Sequence, residues 1–245
     1  MQPRFPEIWT CWRIPGVRTV DGTYGATSLN KLPVVEAPDD LSWLPPFDRQ
    51  VIAKLDAKRL RGAEALAPYF ERAERLDDAA GGDFDGELDQ ILAQAVNANV
   101  RLPAAFLQLF RSRKMQSRFF NPTGCEFDLP QQGMTPAPFG SRGWIIRFLN
   151  DQQGCLSWYL FIPPSGNVVV LSSSETQFAM ALEEHDPNNR EHVSAVLGVT
   201  HLAAHSFPEF LYRFWIEAAL WFKCQYKLSK TPTEERYLRG LTVST

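Results

Sequence analysis

Residues 203–228, AAHSFPEFLYRFWIEAALWFKCQYKL, constrain the fold more than any other stretch. Ser206 and Glu209 have the spacing of a capping box, in which the serine oxygen accepts from the glutamate N–H and the carboxylate reaches back, and Pro208 suits a first helical turn. The pattern predicts a helix from Phe207 to about Leu228. Phe207, Phe210, Leu211, Phe214, Ala218, Trp221, Phe222 and Gln225 recur at helical spacing as a broad stripe, while Trp215, Ile216 and Leu220 lie elsewhere around the axis. At about 1.5–3 kcal/mol per large apolar side chain buried, this helix supplies a major part of a core. The excess beyond one face is expected to pack on the N-terminal arm or on a second chain.

Upstream, WIIRFLNDQQGCLSWYLFIPPSGNVVVLSS, residues 144–173, has three runs rich in β-branched and aromatic residues, cut by NDQQG and PPSGN, which are turn chemistry. They predict an antiparallel meander over Trp144–Leu149, Cys155–Ile162 and Asn167–Leu171. In the second run Leu156, Trp158, Leu160 and Ile162 fall on one face, with Ser157, Tyr159 and Phe161 on the other. Both faces carry bulky groups, so this strand is expected to be covered on both sides or central in its sheet. Asp151 falls in a turn, where aspartate hydrogen-bonds its own backbone.

The rest of the chain is read by the same signals. Residues 1–46 hold seven prolines and three tryptophans, which suggests an arm or short strands wrapped on something larger. A helical pattern follows from Phe47 to Leu76. A further helix is expected from about Glu87 to Ala98 with Leu88, Ile91, Leu92 and Ala95 on one face, and another from Pro103 to about Arg111 burying Phe106, Leu109 and Phe110. Residues 112–143 read as irregular loops with one short strand near Cys125–Leu129. The expected organisation is an arm and helical extension over 1–85, an α+β domain over 86–228 and a polar tail over 229–245.

A chain of 245 residues with 44% apolar and 22% charged side chains is long enough for one substantial core. Its net charge of −3 and the absence of a basic cluster argue against nucleic-acid binding. The N-terminus carries prolines and arginines where a secretory signal needs an apolar run, and FLYRFWIEAALWF is interrupted by Arg213 and Glu217. With no C-x-x-C pair among Cys11, Cys125, Cys155 and Cys224, a reducing cytoplasm is the expected location.

No motif supplies chemistry. The four histidines are His185, His192, His201 and His205; H-L-A-A-H at 201–205 lacks the glutamate of a zincin helix, and the capping box starts the helix only after His205. If VSAVLGVTHLAAHS, residues 193–206, is extended, the last two imidazoles stand about 13 Å apart, too far to share a metal. No nucleophile elbow or phosphate loop is present, Cys155 reads as a small packed residue, and nothing requires a cofactor. Between Asp77 and Asp89 the chain carries six acids and no base, Asp83 and Asp85 among them; a second acidic stretch holds Glu183, Glu184 and Asp186. The plain reading of the first is a flexible joint plus an acid-rich first helical turn, and of the second a solvated polar loop. The sharper one is a contact surface for a basic protein, since complementary charge speeds encounter.

Three pieces in order, VRLPAAFLQLF, the meander IIRFLNDQQGCLSWYLFIPPSGNVVV and the helix start AHSFPEFLYRF, resemble the SUKH superfamily, named for a fungal regulator of cell-wall synthesis and for bacterial immunity proteins. The likeness covers roughly residues 86–225. It implies a twisted, mainly antiparallel sheet packed against helices, no catalytic site, and an immunity protein that binds and neutralises a toxin domain. Residues 1–85 exceed the family's usual lead-in, and 174–199 form a longer insertion. Two other classes stay open: a regulatory scaffold recruiting host proteins through the arm, and a hydrolase or transferase whose residues meet only in three dimensions.

Overall fold

The computed structural model describes residues 3–12, 14, 24–45, 82–119, 124–139, 143–174, 178 and 190–242. The helical pattern between Phe47 and Leu76 lies outside them. The architecture is α+β. Among the described residues an N-terminal hairpin, β1 (Ile8–Trp12) and β2 (Tyr24–Ser28), precedes the helices α1 (Asp85–Asn97), α2 (Ala104–Phe110) and the short α3 (Arg113–Gln116). Then come β3 (Cys125–Phe127), β4 (Thr135–Pro136), β5 (Trp144–Asp151), β6 (Ser157–Ile162) and β7 (Val169–Ser173), followed by α4 (Arg190–Gly198), β8 (Thr200–Ala204), α5 (Phe207–Gln225) and α6 (Pro232–Thr242).

The main sheet is antiparallel in the order β3-β5-β6-β7-β8, with β4 also paired to β5. β6 is its central strand and is buried at all six positions. Trp158, Leu160 and Ile162 enter the larger core, whereas Tyr159 and Phe161 enter a second cluster with Phe139, Phe178 and Val196. The alternation read from the sequence thus corresponds to a strand covered on both faces. A bulge between Arg147 and Leu149 breaks the register with β6. It lets the consecutive Phe148 and Leu149 both join the larger core, where the Phe148 ring meets Phe207 and Phe210. On the opposite face, Glu126, Asn150, Ser157, Ser173 and Thr200 are successive cross-strand partners, a polar row running from β3 to β8.

The arm belongs to the body of the protein. Glu7 bridges Leu202 in parallel and the Leu202 N–H donates to Pro6 O at 2.8 Å, which sets the hairpin beside β8. Trp9, Leu29, Leu32, Leu41 and Leu44 are buried, the Trp9 ring packs on Phe210, and Trp43 packs on Tyr212 and Trp215. The arm therefore covers part of the second apolar side of α5, where Ile216 and Leu220 are also buried.

The expected polar tail is corrected: residues 232–242 form α6, with Tyr237 and Leu241 buried. Its start, Thr231-Pro-Thr-Glu234, is a second capping box. The Thr231 oxygen accepts from the Glu234 N–H at 3.2 Å and the Glu234 carboxylate accepts from the Thr231 N–H at 2.7 Å. Residues 190–198 are helical, where the β-branched composition of part of them predicts extended chain, and α3 interrupts a stretch whose composition predicts loop.

Candidate functional site

The helix that dominates the sequence carries a polar stripe inside its apolar envelope. Glu209, Arg213 and Glu217 are four residues apart on α5, hence on one face, and all three are buried. The Ser206 hydroxyl accepts from the Glu209 N–H, and Glu209 Oε2 accepts from the His205 N–H at 2.8 Å, one residue before the usual capping-box partner. Glu209 Oε1 accepts from Arg213 Nη2 at 2.7 Å, and the same nitrogen donates to Pro33 O at 3.3 Å. Glu217 Oε1 accepts from Trp9 Nε1 and from the Tyr237 hydroxyl. Burial works against the Arg213 charge, but Tyr237 and Glu209 beside it hold the proton, and its pKa ends above the ordinary value. Burial, and next the Glu217 carboxylate, push the Tyr237 phenol well above its ordinary range.

Arg213, Glu217 and Tyr237 are at most 2% exposed, so a substrate has no route to them. What this network does is join three segments distant in sequence: the arm, α5 and α6. In the sequence Arg213 and Glu217 stand only as breaks in an apolar run. The signal that would have found them is their spacing from Glu209, since ionisable groups on a buried stripe require partners.

The other chemistry-bearing residues are dispersed. Among the described residues no group of three or more His, Cys, Asp or Glu is placed to hold a metal. His201 is on β8 and half-buried, with its pKa lowered by burial, whereas His205 is exposed in the β8–α5 junction. Cys155 is exposed, with its thiol 3.8 Å from Gln153 O, and Cys125 is buried. Asp151 ends β5, and its Oδ1 accepts from the Gln153 N–H at 3.1 Å, the turn-shaping role expected of it. No helix among the described residues is long and apolar enough to cross a membrane.

Of the acidic positions, Asp83 and Asp85 are exposed at the start of α1. Asp83 Oδ1 lies 2.6 Å from Arg113 Nε, an ion-pair distance without hydrogen-bond alignment, so part of its charge is answered within the chain. Asp85 lies in the first turn of α1 with Glu87, where the helix dipole favours carboxylates. Leu88, Ile91 and Ala95 bury one side of α1, and Asp85, Asp89, Gln90 and Ala93 stay outside with Val96, which is 78% exposed. Glu183, Glu184 and Asp186 lie outside the described residues. A further exposed acidic loop, missed in the sequence, carries Glu36, Asp39 and Asp40 beside Val34 at 88% exposure, between the buried anchors Leu32 and Leu41.

No family model, curated protein or solved structure matches the chain.

Proposed function

We propose that this chain is a protein-binding module without a reaction of its own, an immunity protein of SUKH type that acts in the cytoplasm by occluding a basic toxin domain. The observation that carries the reading is the outer side of α1, where Asp85 and Asp89 face solvent next to Asp83 on a helix whose other side is fixed in the core. A rigid, acid-rich ridge of this kind attracts a basic surface and loses little freedom on binding it. The deeply buried ionisable groups Arg213 and Glu217 add support, since both are engaged in holding the fold together.

The test is titration with the toxin domain encoded beside this chain's gene, at several salt concentrations. Asp85→Lys with Asp89→Lys is expected to slow association by about tenfold or more and to flatten its salt dependence. Equal rates for wild type and variant would remove α1 from the interface, and failure of every neighbouring toxin to bind would remove the immunity reading.

A second reading, a regulatory scaffold, is favoured by the exposed Val34 loop. A scaffold loses its partners on Val34→Asp while toxin binding by α1 is unaffected.

A further inference from the structure

A cleft of about 440 Å³ opens between the α1–α2 connection, the start of β5 and the turn after β6. Its size falls within the range of sites that hold small ligands or short peptide segments, about 300–1,000 Å³. Ala98, Val100, Ile162, Pro163, Pro164 and the half-buried Trp144 form the apolar part of its lining. Arg101 is the one charged side chain among the lining residues; it is exposed and makes no ion pair among the described residues. Asn99 is exposed on the same rim and holds a left-handed backbone with φ +53°, a conformation asparagine tolerates well.

These groups differ in kind and complement one another. An indole beside prolines accepts an apolar side chain, a guanidinium with no ion pair among the described residues accepts a carboxylate, and an exposed primary amide both donates to and accepts from a peptide group. The cleft is built into the fold on both sides. Gly143 has φ +155°, and a Cβ there would come within 2.9 Å of the Phe161 ring and 3.0 Å of Ile162 O. Trp144 is held by pairing with Ile162 and Pro136.

We infer that this cleft is a second recognition site, taking an extended peptide segment in which an acidic residue adjoins an apolar one. It goes beyond the acidic ridge and is opposite to it in charge. It also adjoins the C-terminal end of α1, about 20 Å along the 13-residue helix from Asp85 at a rise of about 1.5 Å per residue. One chain thereby presents an acidic surface at one end of α1 and an anion-accepting cleft at the other.

The probe is N-acetyl-Ala-Phe-Glu-Phe-amide, titrated into the full chain while the indole N–H resonance of Trp144, assigned with Trp144→Phe, is followed by NMR. A saturable shift is expected. The analogue with Gln in place of Glu should bind about tenfold more weakly, the scale of a lost charge-assisted hydrogen bond. Arg101→Gln should bring the Glu peptide down to the level of its Gln analogue, and Asn99→Gly, which keeps the backbone angle accessible, should weaken both peptides alike. Unchanged Tm values for these two exposed substitutions keep loss of folding out of the comparison. The inference is overturned if Trp144 shows no saturable shift up to about 10 mM peptide, a free energy near −3 kcal/mol, or if Arg101→Gln leaves the Glu peptide unaffected. Phenylacetate binding as tightly as the peptide would mark a small-carboxylate site and overturn the peptide assignment.

Discussion

Trp9 Nε1 and the Tyr237 hydroxyl donate to one and the same oxygen, Glu217 Oε1, so residues 208 and 20 positions away in sequence meet on a single buried carboxylate. Removing one donor leaves Glu217 with less compensation for its lost hydration. Tyr237→Phe is therefore expected to lower stability by about 1–3 kcal/mol in urea titration. The pH dependence gives a second readout. The unfolded phenol ionises near pH 10, whereas burial and the Glu217 charge keep it neutral in the folded protein. Its contribution is complete below about pH 10 and is lost as pH rises beyond that. Wild type should lose stability faster than Tyr237→Phe above pH 10, and parallel curves would show that the phenol does not titrate with unfolding.

The arm is expected to behave as core. Trp9 is 2% exposed against Phe210, so Trp9→Ala should cost about 3–5 kcal/mol, and deleting residues 1–46 should expose one side of α5 and unfold the chain at ordinary temperature. A truncated chain with a native near-UV circular dichroism spectrum and a cooperative melt would contradict this.

Much of this arrangement was legible before the structure. The capping box at Ser206, the alternation in β6 and the buried sides of α1 and α2 are local signals, each carried by a few residues at fixed spacing, and each corresponds to an observed element. α6 was missed although Thr231 and Glu234 repeat the box found at Ser206 and Glu209, because Tyr237, Leu238 and Leu241 make too thin an apolar stripe to register alone. The pairing of Glu217 with Trp9, and the cleft between Arg101 and Trp144, depend on chain crossings far apart in sequence. No window along the chain contains them. The acidic ridge was half legible: Asp83 and Asp85 could be named, but the partner Arg113 that answers Asp83 follows only from the fold.

α6 supplies its own test. Glu234 both closes the capping box and receives Lys223 Nζ of α5 at 2.7 and 2.8 Å, so one carboxylate fixes the start of the helix and its attachment. Thr231→Ala should cost about 0.5–2 kcal/mol, as loss of an N-cap usually does. Glu234→Ala should cost more, because it removes the lysine's partner too. Amide exchange in residues 232–242 should speed up in both variants. Protection unchanged in Thr231→Ala would mean that Tyr237 and Leu241 hold α6 without its cap.

The polar row across the sheet sets a final expectation. Ser157 Oγ donates to Asn150 Oδ1 at 2.8 Å, and Asn150 Nδ2 donates to Asp128 Oδ2 at 3.0 Å, an oxygen that also receives Arg147 Nη2 at 2.7 Å. Asn150 thus links the fully buried Ser157 to an ion pair at the β3 edge. Its amide serves Ser157 with the oxygen and Asp128 with the nitrogen, a division that no aliphatic side chain reproduces. Asn150→Ala leaves the fully buried Ser157 hydroxyl without its acceptor and should cost about 1–3 kcal/mol. Ser157→Ala removes the donor along with the need for a partner and should cost less, because only the unmet group carries the penalty. The double variant should then recover part of the Asn150→Ala loss. Strict additivity of the two costs in urea titrations would show that the pair is uncoupled and that the register of β5 on β6 does not depend on it.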